Sequence, residues 1–312
     1  MDTRPSRRLP GFGTAIFCLL LTGLGYAGRA TAAAPSFSNV FIVVEENRRY
    51  SDVVGSPLMP YLNMLINNYG LATQYFANQH YSLPNYLWLT SGSNDGVTID
   101  TCSSVIENDN VVQELNTARL SWRGYEQGLP SVGYLGCSVG EYRKRHNPFA
   151  YYAVVRDSSA QLQNIVPVRQ FLTDVTNNHF ANYNFITPDL CYDMHSDSSC
   201  TNGCTSWGSS ACWVEADKWL QRHIGPLLNS NIFQPGGRGL LIITFDESVN
   251  GDTANGGGHV AWIAVSPLAK PGYRSTILYQ HQSTLRLMLE GLGVTELPNG
   301  AATAPDMNEF FQ

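Results

Sequence analysis

Two apolar runs constrain what this chain can fold into more than any other feature. Residues 40–45 read Val-Phe-Ile-Val-Val-Glu and residues 240–245 read Leu-Leu-Ile-Ile-Thr-Phe, and acids follow both. Strands apolar at successive positions are buried on both faces, as central strands of a parallel sheet are when helices cover it above and below. Chemistry in open α/β sheets gathers at the carboxyl ends of the strands. Glu46 and Asn47 after the first run, and Asp246 and Glu247 after the second, are therefore expected to converge. Their oxygens suit a hard divalent cation.

The pattern between these runs predicts an alternation: a helix at 59–67, a strand at 72–76, a helix at 85–89, and strands at 120–125 and 183–189. A helix at 213–228, a strand at 260–265 and a helix at 283–292 follow the second run. The implied class is α/β, with a central, mostly parallel sheet and helices on both faces. No repeat, linker or low-complexity run divides residues 35–312, which are expected to form a single domain. Residues 94–152 loosen into short polar, Gly-rich pieces and are expected to form a rim over the site.

Ser82 is the candidate nucleophile. Pro84 fits the first turn of a helix, so Ser82-Leu83-Pro84 reads as a helix start. Free N–H groups and the helix dipole favour negative charge there, which suits a serine that becomes an alkoxide or carries a phosphate. Residues 143–149, Arg-Lys-Arg-His-Asn-Pro-Phe, are the most basic cluster of an otherwise acidic chain and suit phosphate contact.

Several ordered motifs carry a resemblance: Val-Val-Glu-Glu-Asn-Arg-Arg-Tyr, His-Tyr-Ser-Leu-Pro-Asn-Tyr, Arg-His-Asn-Pro-Phe, Pro-Asp-Leu-Cys-Tyr-Asp-Met-His, Ala-Asp-Lys-Trp-Leu and Thr-Phe-Asp-Glu. Together, over residues 40–293, the chain resembles the bacterial phosphoesterase family of acid phosphatases and phospholipases C, within the alkaline phosphatase superfamily. It looks most like the short secreted acid phosphatases. The resemblance implies an alkaline phosphatase-like fold and a phosphoric ester hydrolase working through a phosphoserine on Ser82. It implies a divalent metal (Mg, Ca or Mn) held by Glu46, Asn47, Ser82, Asp246 and Glu247. His195 and His146 would bind phosphate or protonate the leaving oxygen, and Asn85, Arg145 and His80 would contact substrate. Asp193, His259 and Asp189 are further candidates. Tyr192 and Ser196 depart from relatives reading Asn-Asp-Met-His-Asp, which puts the contacts flanking His195 in question.

The start of the chain reads as an export signal, residues 1–32 with cleavage at 32–34: three arginines, an apolar stretch and small residues. The apolar stretch is too short to span a bilayer comfortably, and no later segment is a candidate. Cleavage would remove Arg4, Arg7, Arg8, Arg29 and Asp2 from totals of 19 basic and 25 acidic residues, leaving 15 against 24 and a net charge near −9. Such a chain has no general attraction for nucleic acid. Cys18 would leave with the signal, and six cysteines remain. An exported chain suggests disulfides: Cys102 with Cys137, and two bridges among Cys191, Cys200, Cys204 and Cys212 whose pairing stays open.

The expected partner is a phosphorylated small molecule or a phosphoinositide, with phosphomonoester hydrolysis as the activity. The alternatives are a phospholipase C-type phosphodiesterase and an exported, non-catalytic binding protein on the same fold. Ester hydrolysis at carbon is disfavoured because the Gly-x-Ser-x-Gly elbow usual for it is not expected in this chain. Oligomeric state is open.

Overall fold

The structure is a computed structural model and describes residues 1–6 and 35–312. The expected export signal and Cys18 fall almost entirely outside the described residues. All the strands and helices of the described residues belong to one compact unit, Ala32–Gln312.

The strands of this unit are β1 (Asn39–Glu45), β2 (Gly70–Ala72), β3 (Trp122–Glu126), β4 (Ser138–Val139), β5 (Tyr142–Arg143), β6 (Ile165–Pro167), β7 (Tyr183–Thr187), β8 (Gly239–Phe245), β9 (Trp262–Val265) and β10 (Arg274–Ser275). Eight form one sheet in the order β10-β2-β9-β8-β1-β7-β3-β6, while β4 and β5 form a small separate ladder. All pairings in the large sheet are parallel except the two that β9 makes, with β8 and β2.

Register shows why the two apolar runs had to be central. Ile42 is level with Phe185 of β7 and Phe41 with Asn184, so Phe41 and Phe185 point to opposite faces. Phe41 packs edge-on against Phe171 of the helix Arg169–Asn177, and Phe185 packs on Tyr86 of the helix Ser82–Ser91. Both faces are thus covered by helices, and neither β1 nor β8 could hold a polar side chain cheaply before its end.

Several elements differ from their expected extents. The strand expected at 72–76 ends at Ala72, and Tyr75 and Phe76 make only isolated bridges to Tyr279 and His259. The helix expected at 85–89 runs Ser82–Ser91, and nearly every side chain in it is buried, so no apolar stripe marked its ends. Residues 94–152 are not one excursion, because β3 lies inside them and joins the large sheet. Asp217, of the Ala-Asp-Lys-Trp-Leu motif, accepts the backbone N–H groups of Tyr61 and Leu62 and caps the helix Pro60–Asn68.

The three disulfides join Cys102 with Cys137, Cys191 with Cys200, and Cys204 with Cys212. The last two tie down the loop that leads from β7 to the helix Ser210–Leu228. Among the described residues, no helix is long and apolar enough to cross a membrane.

Glu126, at the end of β3, is buried with Oε1 unpaired, and burial pushes its pKa well up. A folded-state value above the unfolded carboxylate value of about 4.3 stabilises the fold only at low pH, and that contribution is lost as pH rises. Glu126→Gln is expected to raise stability by about 1–3 kcal/mol at pH 8 and by little near pH 4. Thermal unfolding at both pH values checks this.

Candidate active site

The site lies where β1 and β8 end. Glu45 and Phe245 are level, which brings Glu46 and Asp246 side by side. The backbone N–H groups of Asn47 and Glu247 donate to Asp246 Oδ1 at 3.0 and 2.6 Å. The hydroxyl of Ser82 donates to Glu46 Oε2 at 3.1 Å, while Tyr86, one helical turn on, donates to Glu46 Oε1 at 3.0 Å.

Ser82 opens its helix directly after Tyr81, whose φ of 73° is costly for a residue with a side chain. Asn85 holds that turn. Its amide N–H groups donate to the carbonyls of Gln79 and Tyr81, and its oxygen accepts from the N–H groups of Asn78 and Gln79. This corrects the expectation that Asn85 donates to a phosphoryl oxygen: it is fully buried and its donors are spent on the turn that presents Ser82.

His80 also differs from expectation. Its two ring nitrogens meet Glu247 Oε2 at 2.5 Å and the carbonyl of Asp252 at 2.9 Å, so it orients Glu247 and has no nitrogen left for phosphate. His146 is buried, stacked on Tyr86, with Nε2 3.1 Å from Glu46 Oε1 and Nδ1 3.8 Å from Asp193 Oδ2. Burial, then Arg145, push its pKa well down. Its ring is buried and does not line the cavity over Ser82, which corrects its expected role as a proton donor to a leaving group there.

His259 stacks between Tyr50 and Phe76 and bonds to the carbonyl of Thr73, so it packs rather than joining the site. Asp189 turns its carboxylate onto the N–H of Cys191 and shapes the disulfide loop. His195 does reach the site. Asp193 Oδ1 accepts its backbone N–H at 2.8 Å, and its Nδ1 lies 3.2 Å from the carbonyl of Ser196. Burial foremost, with Arg145, Arg48 and Arg143, lowers its pKa.

A cavity of about 340 Å³ opens over Ser82, lined by Asn47, His80, Tyr81, Asp100, Arg145, His195, Glu247 and Asn250. Asp100 is a member that sequence reasoning missed. One carboxylate oxygen accepts the N–H of Leu83 at the start of the nucleophile's helix, and the other lies 3.3 Å from Arg145 Nε. Nothing in its local sequence marks it, whereas Tyr86 was findable from its spacing to Ser82. A Gly-x-Ser-x-Gly pentapeptide does occur, at residues 136–140, but its serine lies exposed in the small β4–β5 ladder and forms no strand-to-helix elbow.

The buried acids are short of cations. Burial, compounded by Asp246 and Asp193, raises the Glu46 pKa well above the usual range. Burial raises Asp246 to about 7, and burial with Asp246 raises Glu247 to about 9. Asp246 Oδ2, Asp193 Oδ2 and His146 Nε2 are buried without hydrogen-bond partners. No group of three metal-binding side chains is drawn together tightly enough among the described residues to form a ready-made ligand set. The chemistry of the cluster nevertheless fits a hard divalent cation: it is rich in oxygen, negatively charged and unsatisfied at buried atoms.

Residues 56–295 match the profile of the Phosphoesterase family. The chain belongs to that family. As a phosphoesterase it is 29% identical to a phosphatidylinositol-3-phosphatase of Mycobacterium tuberculosis, over 98% of this chain and 95% of that protein. It is 27% identical to an acid phosphatase of Aspergillus fumigatus over 87% of this chain, and spans 58% of that longer protein. A protein of the alkaline phosphatase superfamily from Vibrio parahaemolyticus shares the fold with a TM-score of 0.57 at 12% identity, over 86% of this chain and 70% of that one. The phosphoesterase is therefore a phosphoric ester hydrolase on an alkaline phosphatase-like fold.

Proposed function

We propose that this phosphoesterase is an exported, metal-dependent phosphomonoesterase of the acid phosphatase type, with Ser82 as its nucleophile. The observation that carries the reading is the hydroxyl of Ser82 at a helix start, bonded to Glu46 and facing a cavity that Arg145 lines. Displacement at phosphorus needs an in-line nucleophile, neutralised equatorial oxygens and a protonated leaving oxygen.

Glu46, Asn47, Asp246 and Glu247, with Ser82 Oγ, would hold a divalent cation, of which Mg, Ca or Mn suits oxygen donors best. Bound there, the cation supplies charge neutralisation and lowers the pKa of the serine hydroxyl. Ser82 Oγ attacks phosphorus, the ester bond to the leaving oxygen breaks, and water then hydrolyses the phosphoserine. Arg145 offsets the negative charge on phosphorus. His195, whose Nδ1 is held by the Ser196 carbonyl, turns Nε2 to the leaving oxygen. Its lowered pKa makes it a proton donor only at acid pH, in keeping with an acid phosphatase.

A phosphoinositide or a small phosphorylated metabolite is the proposed substrate. The test is a panel of p-nitrophenyl phosphate, phosphatidylinositol 3-phosphate and phosphatidylcholine at acid and neutral pH. Monoesters are expected to be cleaved faster, most of all at acid pH. Faster release of diacylglycerol from phosphatidylcholine than of phosphate from either monoester would make the enzyme a phospholipase C. Absence of any turnover would leave a binding protein.

A further inference from the structure

Beside the Ser82 cavity lies a second one of about 420 Å³, lined by Asn47, His195, Trp207, Val249, Asn250 and Gly251. The two share Asn47, His195 and Asn250, so a group attached to phosphorus on the His195 side extends into the second. Its most distinctive wall is Trp207, an indole left 49% exposed.

Trp207 is nonetheless firmly held. One face packs on the guanidinium of Arg48 at 4.0 Å, and that group is sandwiched from its other side by Trp213 at 4.1 Å. Arg48 is itself buried and donates to the carbonyl of Met194. The Cys204–Cys212 bridge closes the short segment that carries the indole, and His195 meets it edge-on at 5.3 Å. With Arg48 over its ring, Trp207 still forms part of the cavity wall.

Charge narrows what could lie on that surface. Among the described residues, no Asp, Glu, Lys or Arg side chain lines this cavity, and His195 is its one titratable group. A second phosphate would find no arginine or lysine there, and a quaternary ammonium would find no carboxylate and an indole whose π system already carries the Arg48 cation. Two amide side chains and an indole suit a ring that hydrogen-bonds through hydroxyls and stacks through its C–H face.

Resting on the phosphomonoesterase reading above, we propose that this second cavity is the leaving-group subsite, taking a hydroxyl-bearing ring stacked on Trp207, with any further phosphate on that ring left outside the cavity. Trp207 thereby sets which esters are good substrates, and Arg48 positions it.

The test compares kcat/KM for myo-inositol 1-phosphate, methyl phosphate and inositol 1,4-bisphosphate in the full chain and in its Trp207→Ala and Trp207→Phe variants. The expected result is a wild-type preference for the ring monoester over methyl phosphate that falls about tenfold in Trp207→Ala and is largely kept in Trp207→Phe. A preference unchanged in Trp207→Ala, or a wild-type enzyme that favours the bisphosphate, would overturn the proposal. Failure of the wild type to cleave any of the three would count against the hydrolase reading instead. Calorimetric titration with free myo-inositol then decides the subsite: binding that Trp207→Ala abolishes supports it, and no binding to the wild type refutes it.

Discussion

Ser82→Ala is expected to lower kcat by on the order of 10⁴-fold or more while the protein stays folded. A covalent nucleophile has no substitute within the site, and removing one typically costs that much. The fold should tolerate the change. Ser82 makes one hydrogen bond to Glu46, and losing it costs about 1 kcal/mol. The turn that presents it is held by Asn85, which the substitution leaves in place. Stopped-flow and steady-state assays with p-nitrophenyl phosphate, alongside thermal unfolding, separate the two effects. A variant retaining more than about a tenth of the wild-type rate would mean that water attacks phosphorus directly, and the phosphoserine would have to be abandoned.

Asp246→Asn is expected to reduce activity by at least about a hundredfold, as is exhaustive chelation of the wild type. Groups that merely support metal ligands already cost 10- to 100-fold when lost. The same substitution should stabilise the metal-free protein. Asp246 and Glu247 have folded-state pKa values raised to about 7 and about 9, above unfolded values near 4. Groups of this kind stabilise the fold fully only below the unfolded value, so the metal-free protein should lose stability as pH climbs from about 4 to about 9. Adding a divalent cation should flatten that slope, because it compensates the charges that burial leaves uncompensated. Melting temperatures across this range, with and without Mg or Ca, report the effect directly. Full activity after chelation and dialysis would remove the cation from the mechanism.

Four of the nine non-glycine residues with positive φ among the described residues lie where these predictions act. Tyr81 just before the nucleophile, Asn47 at the end of β1, and Met194 and Ser196 around His195 all have positive φ. Strain of this kind persists only where the surroundings enforce it. Here they do so visibly: Asn85 ties the Tyr81 carbonyl, Asp246 takes the N–H of Asn47, and Arg48 holds the Met194 carbonyl. The site is assembled from turns that other side chains keep in place, which is why residues that never touch substrate are so numerous around it.

The sequence by itself determined the frame. Successive apolar residues in β1 and β8 left no arrangement but burial on both faces, and the acids that end those runs fell at the rim where the sheet stops. Pro84 made Ser82 a helix start, and the spacing of the cysteines, in a chain expected to be exported, pointed to Cys102 with Cys137. These are local facts, fixed by the period of a strand, the ring of a proline or the distance along a chain.

What only the tertiary structure decided is which polar groups remain free. Asn85, His80 and His259 match what a phosphate site needs in residue type, yet folded neighbours claim their donors and acceptors first. Asp100 and Trp207 carry no local signal, because what places them is a helix start and a buried guanidinium, respectively. Arg48 reaches Met194 across a separation of 146 residues, and His80 reaches Glu247 across 167. A side chain's chemistry is written in its type, but whether it is spent on the fold or left for a ligand depends on hydrogen-bond demand that exists only once distant segments meet.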